Sequence, residues 1–315
     1  MYYLENGIRW GRLGRILAVS FALFATVAAF GIGNGVQSNA IAEAVGNVTG
    51  LSRWAVGLLT AFVISTVILG GIHSIGKFTA AFVPTMILIY VAAAGVILVL
   101  NLDRVPDAFR LVFEHAFSGR AAAGGAVGVT IGQAIRHGLS QGVFSNESGL
   151  GTGAIAAAAA QTREPVCQAL ISMTQTFIDT LVVCTLTGIV ILATGAWETG
   201  LDGATLAQQA FSGGLSGEWG SRVVALCLTF FAFSTILGWS YYGERNLQYL
   251  VGSRAIVPYR LLFVVVTAVA AVVELDVVWL ISDVMNGLMA LPNLIGLLLL
   301  SGLVFRETRS YFNRH

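Results

Sequence analysis

Runs of about 20 apolar residues recur along almost the whole chain, and they restrict its fold severely. A bilayer core is about 30 Å thick, so a helix that crosses it needs about 20 mostly apolar residues. Eight candidates stand at 14–33, 54–71, 80–100, 127–147, 166–194, 222–242, 258–274 and 277–304. Backbone in hydrocarbon must satisfy its own hydrogen bonds, and runs of this length do so as helices. The predicted fold class is therefore all-α, a polytopic integral membrane protein. Composition agrees, with 10% charged residues against about 25% in soluble domains. A formal net charge of +1 argues against a nucleic-acid partner.

The 37 glycines allow close helix approach and breaks within helices. Cys167, Cys184 and Cys227 lack metal-ligand spacing and read as small buried hydrophobes. Met1 to Arg15 is arginine-rich, with no cleavage pattern before the first apolar run, so no signal peptide is read.

Lysine and arginine in the connecting segments set the expected orientation. With the N-terminus inside, the inner segments hold Arg9, Arg12, Arg15, Lys77, Arg163, Arg245, Arg254, Arg260, Arg306, Arg309 and Arg314. The outer ones hold Arg53, Arg104, Arg110, Arg120 and Arg222, and Arg136 falls in the fourth candidate. Eleven against five predicts both termini in the cytoplasm.

The fourth candidate is the least apolar and ends in Gly142-Val143-Phe144-Ser145-Asn146-Glu147-Ser148-Gly149-Leu150-Gly151. An acid, an amide, two hydroxyls and glycines at membrane depth predict a broken helix. Irregular backbone is tolerated there only inside protein or beside a watery cavity, where transporters build their sites. Ser145, Asn146, Glu147 and Ser148 form the break, whose hydroxyls, amide and freed carbonyls offer hard oxygen ligands to a small cation, and residues 150–160 are expected to form a half-helix. Its free N–H groups would suit a substrate carboxylate. A polar loop at the cytoplasmic surface is the plainer alternative.

Other polar residues interrupt apolar runs. Asn34, Gln37 and Asn39 close the first candidate, and their amides would suit an amino-acid zwitterion or a polar helix end. Asn34 and Gln37, three apart, share a face if the helix continues regularly. Asp179, beside Thr180, is an acid inside a long apolar helix, which by default marks function. It either binds a cation or pins the broken helix. Ser234, Thr235 and Trp239 would suit a cation site beside a small apolar pocket, or else packing hydroxyls and an interfacial indole. Glu244 and Arg245 read as a gate or a structural pair. Gly138-Leu139-Ser140-Gln141-Gly142 matches a nucleophile-elbow pattern, but the elbow needs a preceding strand. Asn146-Glu147-Ser148 fits a glycosylation sequon by chance at this depth.

The block 142–151, Phe177-Ile178-Asp179-Thr180, Gly238-Trp239-Ser240-Tyr241-Tyr242-Gly243-Glu244 and the Asn34/Gln37/Asn39 cluster resemble the alanine or glycine:cation symporters, also called sodium:alanine symporters. The resemblance follows the whole chain in order. It implies a leucine-transporter-like inverted-repeat fold and uptake of alanine, glycine or similar small neutral amino acids. Na⁺ or H⁺ is implied as the coupling ion, with no other cofactor, in a bacterial or archaeal inner membrane. Taken with the polar clusters above, substrate contacts are expected at Asn34, Gln37, Phe144, Ser145, Asn146, Thr235 and Trp239. Cation binding or coupling falls to Glu147, Asp179, Thr180, Ser234 and Thr235. The sequence departs from the family at Gln141, usually Arg, and at Ser148, often Ala.

Met1 to Gly7 resembles the middle of a family loop, so the fold is expected to lack its first two core helices. A repeat count agrees: residues 1–126 hold three candidates and 127–304 hold five, within one transmembrane domain. The competing expectations are a truncated, non-transporting remnant or partner of a full-length paralogue, and an intramembrane hydrolase using Ser140 or Ser148 with His137.

Overall fold

The computed structural model describes residues 1–117, 138, 142–215 and 219–314. Among the described residues all regular elements are helical. A short α1 (Tyr2–Gly7) precedes α2 (Gly11–Thr49), α3 (Arg53–Leu69), α4 (Gly71–Leu100) and α5 (Val105–Phe117). After the break come α6 (Gly153–Ala157), α7 (Pro165–Thr194), α8 (Gly203–Gly214), α9 (Trp219–Val251), α10 (Ile256–Ala270) and α11 (Leu275–Arg314).

Among the described residues six helical segments are long and apolar enough to cross a membrane, and they cover six of the eight candidates. The candidate at 54–71 falls on α3, which has 17 residues. Most of the candidate at 127–147 lies outside the described residues. The expected half-helix at 150–160 is the five-residue α6.

Local chemistry explains the ends. Ser52 caps α3 by accepting from the Ala55 N–H at 3.3 Å. Pro165 occupies the first position of α7, where its missing N–H costs nothing. Among the described residues two helices contain a turn of π-helix: Gly31–Val36 in α2 and Phe177–Cys184 in α7. Such turns insert a residue and often mark functional sites.

The main core packs α2 against α9 and α11, and α10 lies against α3. Phe21, Ile236, Leu237, Phe263 and Met289 are fully buried there. A second core joins α4, α7, α8 and α9 through Tyr90, Ile97, Val190, Phe211 and Cys227. The outer surface is apolar too: Phe62 is 67% exposed, Leu88 70% and Leu298 75%. Large exposed apolar surfaces of this kind face lipid or a partner. Of the cysteines only Cys227 is buried; Cys184 is exposed and Cys167 half-buried, against the expectation for all three. They sit in the part of α7 before Thr185, where no residue is buried.

Candidate functional site

A cavity of about 480 Å³ lies where α2, α4, α7, α9 and the segment after residue 142 converge. Its polar wall holds Gln37, Ser145, Glu147, Gln175, Asp179, Ser234 and Thr235. Its apolar wall is built from Ile32, Val83, Met86, Ile87, Phe144, Ile178, Val183, Phe231 and Trp239. Residues far apart in sequence therefore meet at one place, and each π-helical turn contributes to the lining.

The break is shaped by its own side chains. Residues 142–146 are helical, and Glu147 then turns left-handed with φ 56°, the lone non-glycine residue to do so among those described. Asn146 stabilises this turn by accepting from the Ser148 N–H at 2.9 Å, as asparagine does in tight turns. Gly149 and Gly151 follow with φ of 81° and 90°, a region glycine enters without penalty. At Gly151 a Cβ would also strike Asn293 Oδ1 at 2.8 Å. Thr152 Oγ1 donates to the Glu147 carboxylate at 2.6 Å, closing the loop on itself.

Three further bonds hold the break in place. Ser145 Oγ donates to Asp179 Oδ2 at 2.6 Å, and Asn146 Nδ2 donates to Thr180 Oγ1 at 3.2 Å. On the other side, Asn293 of α11 donates to the Gly149 carbonyl at 2.7 Å and accepts from the Tyr3 hydroxyl. Asp179 thus pins the broken helix and lines the cavity at the same time.

The hydroxyls of α9 are turned inward on their own helix. Ser234 Oγ and Thr235 Oγ1 both donate to the Phe231 carbonyl, at 2.8 and 3.0 Å. Their protons are committed to the backbone, which leaves oxygen lone pairs to the cavity. Trp239 is 2% exposed and packs directly on Gly33, where a Cβ would overlap it. Its ring meets Tyr242 edge-on at 5.6 Å.

Asn34, Asn146 and Thr180 are not among the lining residues. Asn34 is fully buried: its amide donates to the Phe263 carbonyl at 2.8 Å, and its oxygen accepts from Ser38 at 3.0 Å. Asn39 likewise donates to the Val273 carbonyl at 2.7 Å. Glu244 is buried against Arg260 of α10 at 2.6 Å, with Arg245 farther off at 3.8 Å. His137 and Ser140 lie outside the described residues.

Gln175 and Asn293 were missed in the sequence. Gln175 stands one turn before Asp179, and Asn293 follows Pro292 inside an apolar run, so each carried a signal.

A multi-span helical protein with a cavity that sets a polar wall against an apolar one beside a broken helix belongs to the class of membrane transporters. Residues 1–315 match the Sodium:alanine symporter family, and the chain belongs to that family. It is 48% identical over 315 residues to the Sodium/alanine symporter AgcS of Methanococcus maripaludis, covering 99% of this chain and 68% of that one. An uncharacterized transporter of Haemophilus influenzae is also 48% identical, over 318 residues, covering 100% and 68%. The Probable sodium/glutamine symporter GlnT of Bacillus subtilis is 36% identical over 313 residues, covering 98% and 63%.

Proposed function

We propose that the cavity is the joint substrate and cation site of a symporter that couples inward Na⁺ or H⁺ flux to uptake of a small neutral amino acid, alanine or glycine. The observation that carries this reading is the pairing of Ser145 with Asp179 at the cavity wall, across the broken helix. An acid at membrane depth is costly unless a partner or an ion compensates it. Asp179, the Ser145 oxygen and the lone pairs of Ser234 and Thr235 form a hard oxygen set suited to a small cation. Glu147 serves as the coupling acid behind them, through its bond to Thr152.

Gln37 offers the substrate a donor and an acceptor. Phe144 and Trp239 form the wall that limits its side chain, which suits alanine or glycine better than larger residues. Asn34, Asn146 and Thr180 act from behind the lining by fixing α2 and the break. The fold proposed for this arrangement is the leucine-transporter-like inverted repeat, working by alternating access with both termini in the cytoplasm.

In such a carrier, ion and substrate favour the same states, so each raises the other's affinity. The test is binding of labelled alanine to the purified protein at rising Na⁺, read by equilibrium dialysis. Alanine affinity that climbs with Na⁺ supports the reading, and so does the same dependence on protons at constant Na⁺. Alanine binding that ignores both ions, or no binding at any concentration of either, overturns it.

A further inference from the structure

A second cavity, of about 590 Å³, lies between the segment after α1 and the C-terminal part of α11. Arg9 and Arg306 line it, with Ile8, Trp10, Leu299 and Leu303 among its apolar walls. Gly7 closes one side, where a Cβ would sit 3.2 Å from Leu300. A neighbouring cavity of about 440 Å³ shares Arg306 and adds Arg309 and Arg314. Four arginines from two chain segments therefore line these two neighbouring cavities.

The acidic compensation is slight. Arg306 meets Glu307 at 3.9 Å with both side chains exposed, and Arg314 meets Glu164 at 3.7 Å. Exposed pairs at such distances contribute little. Arg9 and Arg309 form no ion pair among the described residues. Trp10, 65% exposed, lines the first of these cavities with Arg9 and Arg306, and tryptophan favours the level of lipid headgroups. Leu299 and Leu303, 44% and 43% exposed, continue the surface toward the hydrocarbon.

We infer that this groove binds an anionic phospholipid. The arginines take the phosphate, and the acyl chains lie along Leu299 and Leu303. A guanidinium fork matches phosphate oxygens bidentately, and basic pockets on transmembrane helices bind anionic headgroups. A soluble phosphate would use the arginines but leave the apolar wall bare, so a lipid fits the whole lining. The site shares no lining residue with the transport cavity, and its failure would leave the transport reading untouched.

The test uses the purified protein in a neutral detergent, titrated with phosphatidylglycerol or phosphatidylcholine while thermal unfolding and lipid retention in native mass spectrometry are recorded. Phosphatidylglycerol should raise the unfolding midpoint and remain bound, and phosphatidylcholine should not. The double variant R9Q/R306Q should raise the half-saturating phosphatidylglycerol concentration at least fivefold. R254Q, at an exposed arginine assigned to the same membrane side, should leave it unchanged. Inorganic phosphate should give no stabilisation. Three results would overturn the inference: equal response to the two lipids, equal loss in R254Q and R9Q/R306Q, or full effect from inorganic phosphate. Helicity measured by circular dichroism confirms that each variant is folded before titration.

Discussion

The Ser145–Asp179 bond separates two roles for the acid, pinning the break and binding the cation. At 2.6 Å it joins a hydroxyl to a carboxylate, and such charge-assisted bonds contribute about 1.5–3 kcal/mol. The pair opens onto the cavity, so water competes and the lower part of that range applies. About 1.5 kcal/mol corresponds to about a tenfold change in an equilibrium constant. Ser145→Ala should therefore weaken cation binding several-fold, and Asp179→Asn should weaken it more by removing the charge itself. The informative quantity is the coupling between them. In a double-mutant cycle the two changes should fall short of additivity by about 1 kcal/mol or more, because the second removes a bond already lost. The assay is a Na⁺ titration of intrinsic fluorescence, since Trp239 lines the same cavity. Additive losses within about 0.3 kcal/mol would refute the claim that the two side chains act as a unit. An unaltered titration in Asp179→Asn would remove the acid from the cation site altogether.

Gly33→Ala should destabilise the protein by about 1–3 kcal/mol through overpacking, because the new methyl falls on Trp239; a lower midpoint in detergent-induced unfolding checks it. Trp239→Ala should widen substrate choice more than it weakens cation binding, seen when valine or leucine displaces labelled alanine from the variant but not from the parent. Asn34→Ala should lower stability by about 1–3 kcal/mol, because buried Ser38 loses the oxygen it donates to and the Phe263 carbonyl, which also accepts from Thr267, loses one of its donors; Na⁺ and alanine affinities measured on the surviving folded fraction should stay within about twofold.

Much of this architecture is legible in the sequence. Hydropathy alone marks the long helices, though not the shorter α5 and α8, because a membrane segment must satisfy its backbone internally and present apolar side chains outward, both of which are local properties. The broken helix was equally legible: Gly149, Gly151 and the polar run before them have no use in a regular apolar span. Asp179 and Glu147 stood out by the cost of burying an acid, and the structure brings both to one cavity with Gln37, Phe144, Ser145, Ser234, Thr235 and Trp239.

Facing was not legible, and the reason is geometric. Each residue of an α-helix turns the chain by about 100°, so one extra residue in a π turn rotates everything after it by that amount. Spacing by three put Asn34 and Gln37 on one face, but the π turn at Gly31–Val36 lies across that pair. Asn34 is packed against the Phe263 carbonyl of α10, and Gln37 reaches the cavity. The second π turn sits on Asp179 itself and brings it to Ser145. The clasp of Tyr3, Asn293 and Gly149 joins residues separated by up to 290 positions. The sequence by itself determined a helical membrane protein with one polar break. Tertiary packing decided which polar groups meet, because rotation about a helix axis and contacts between distant helices leave no periodic trace in the chain.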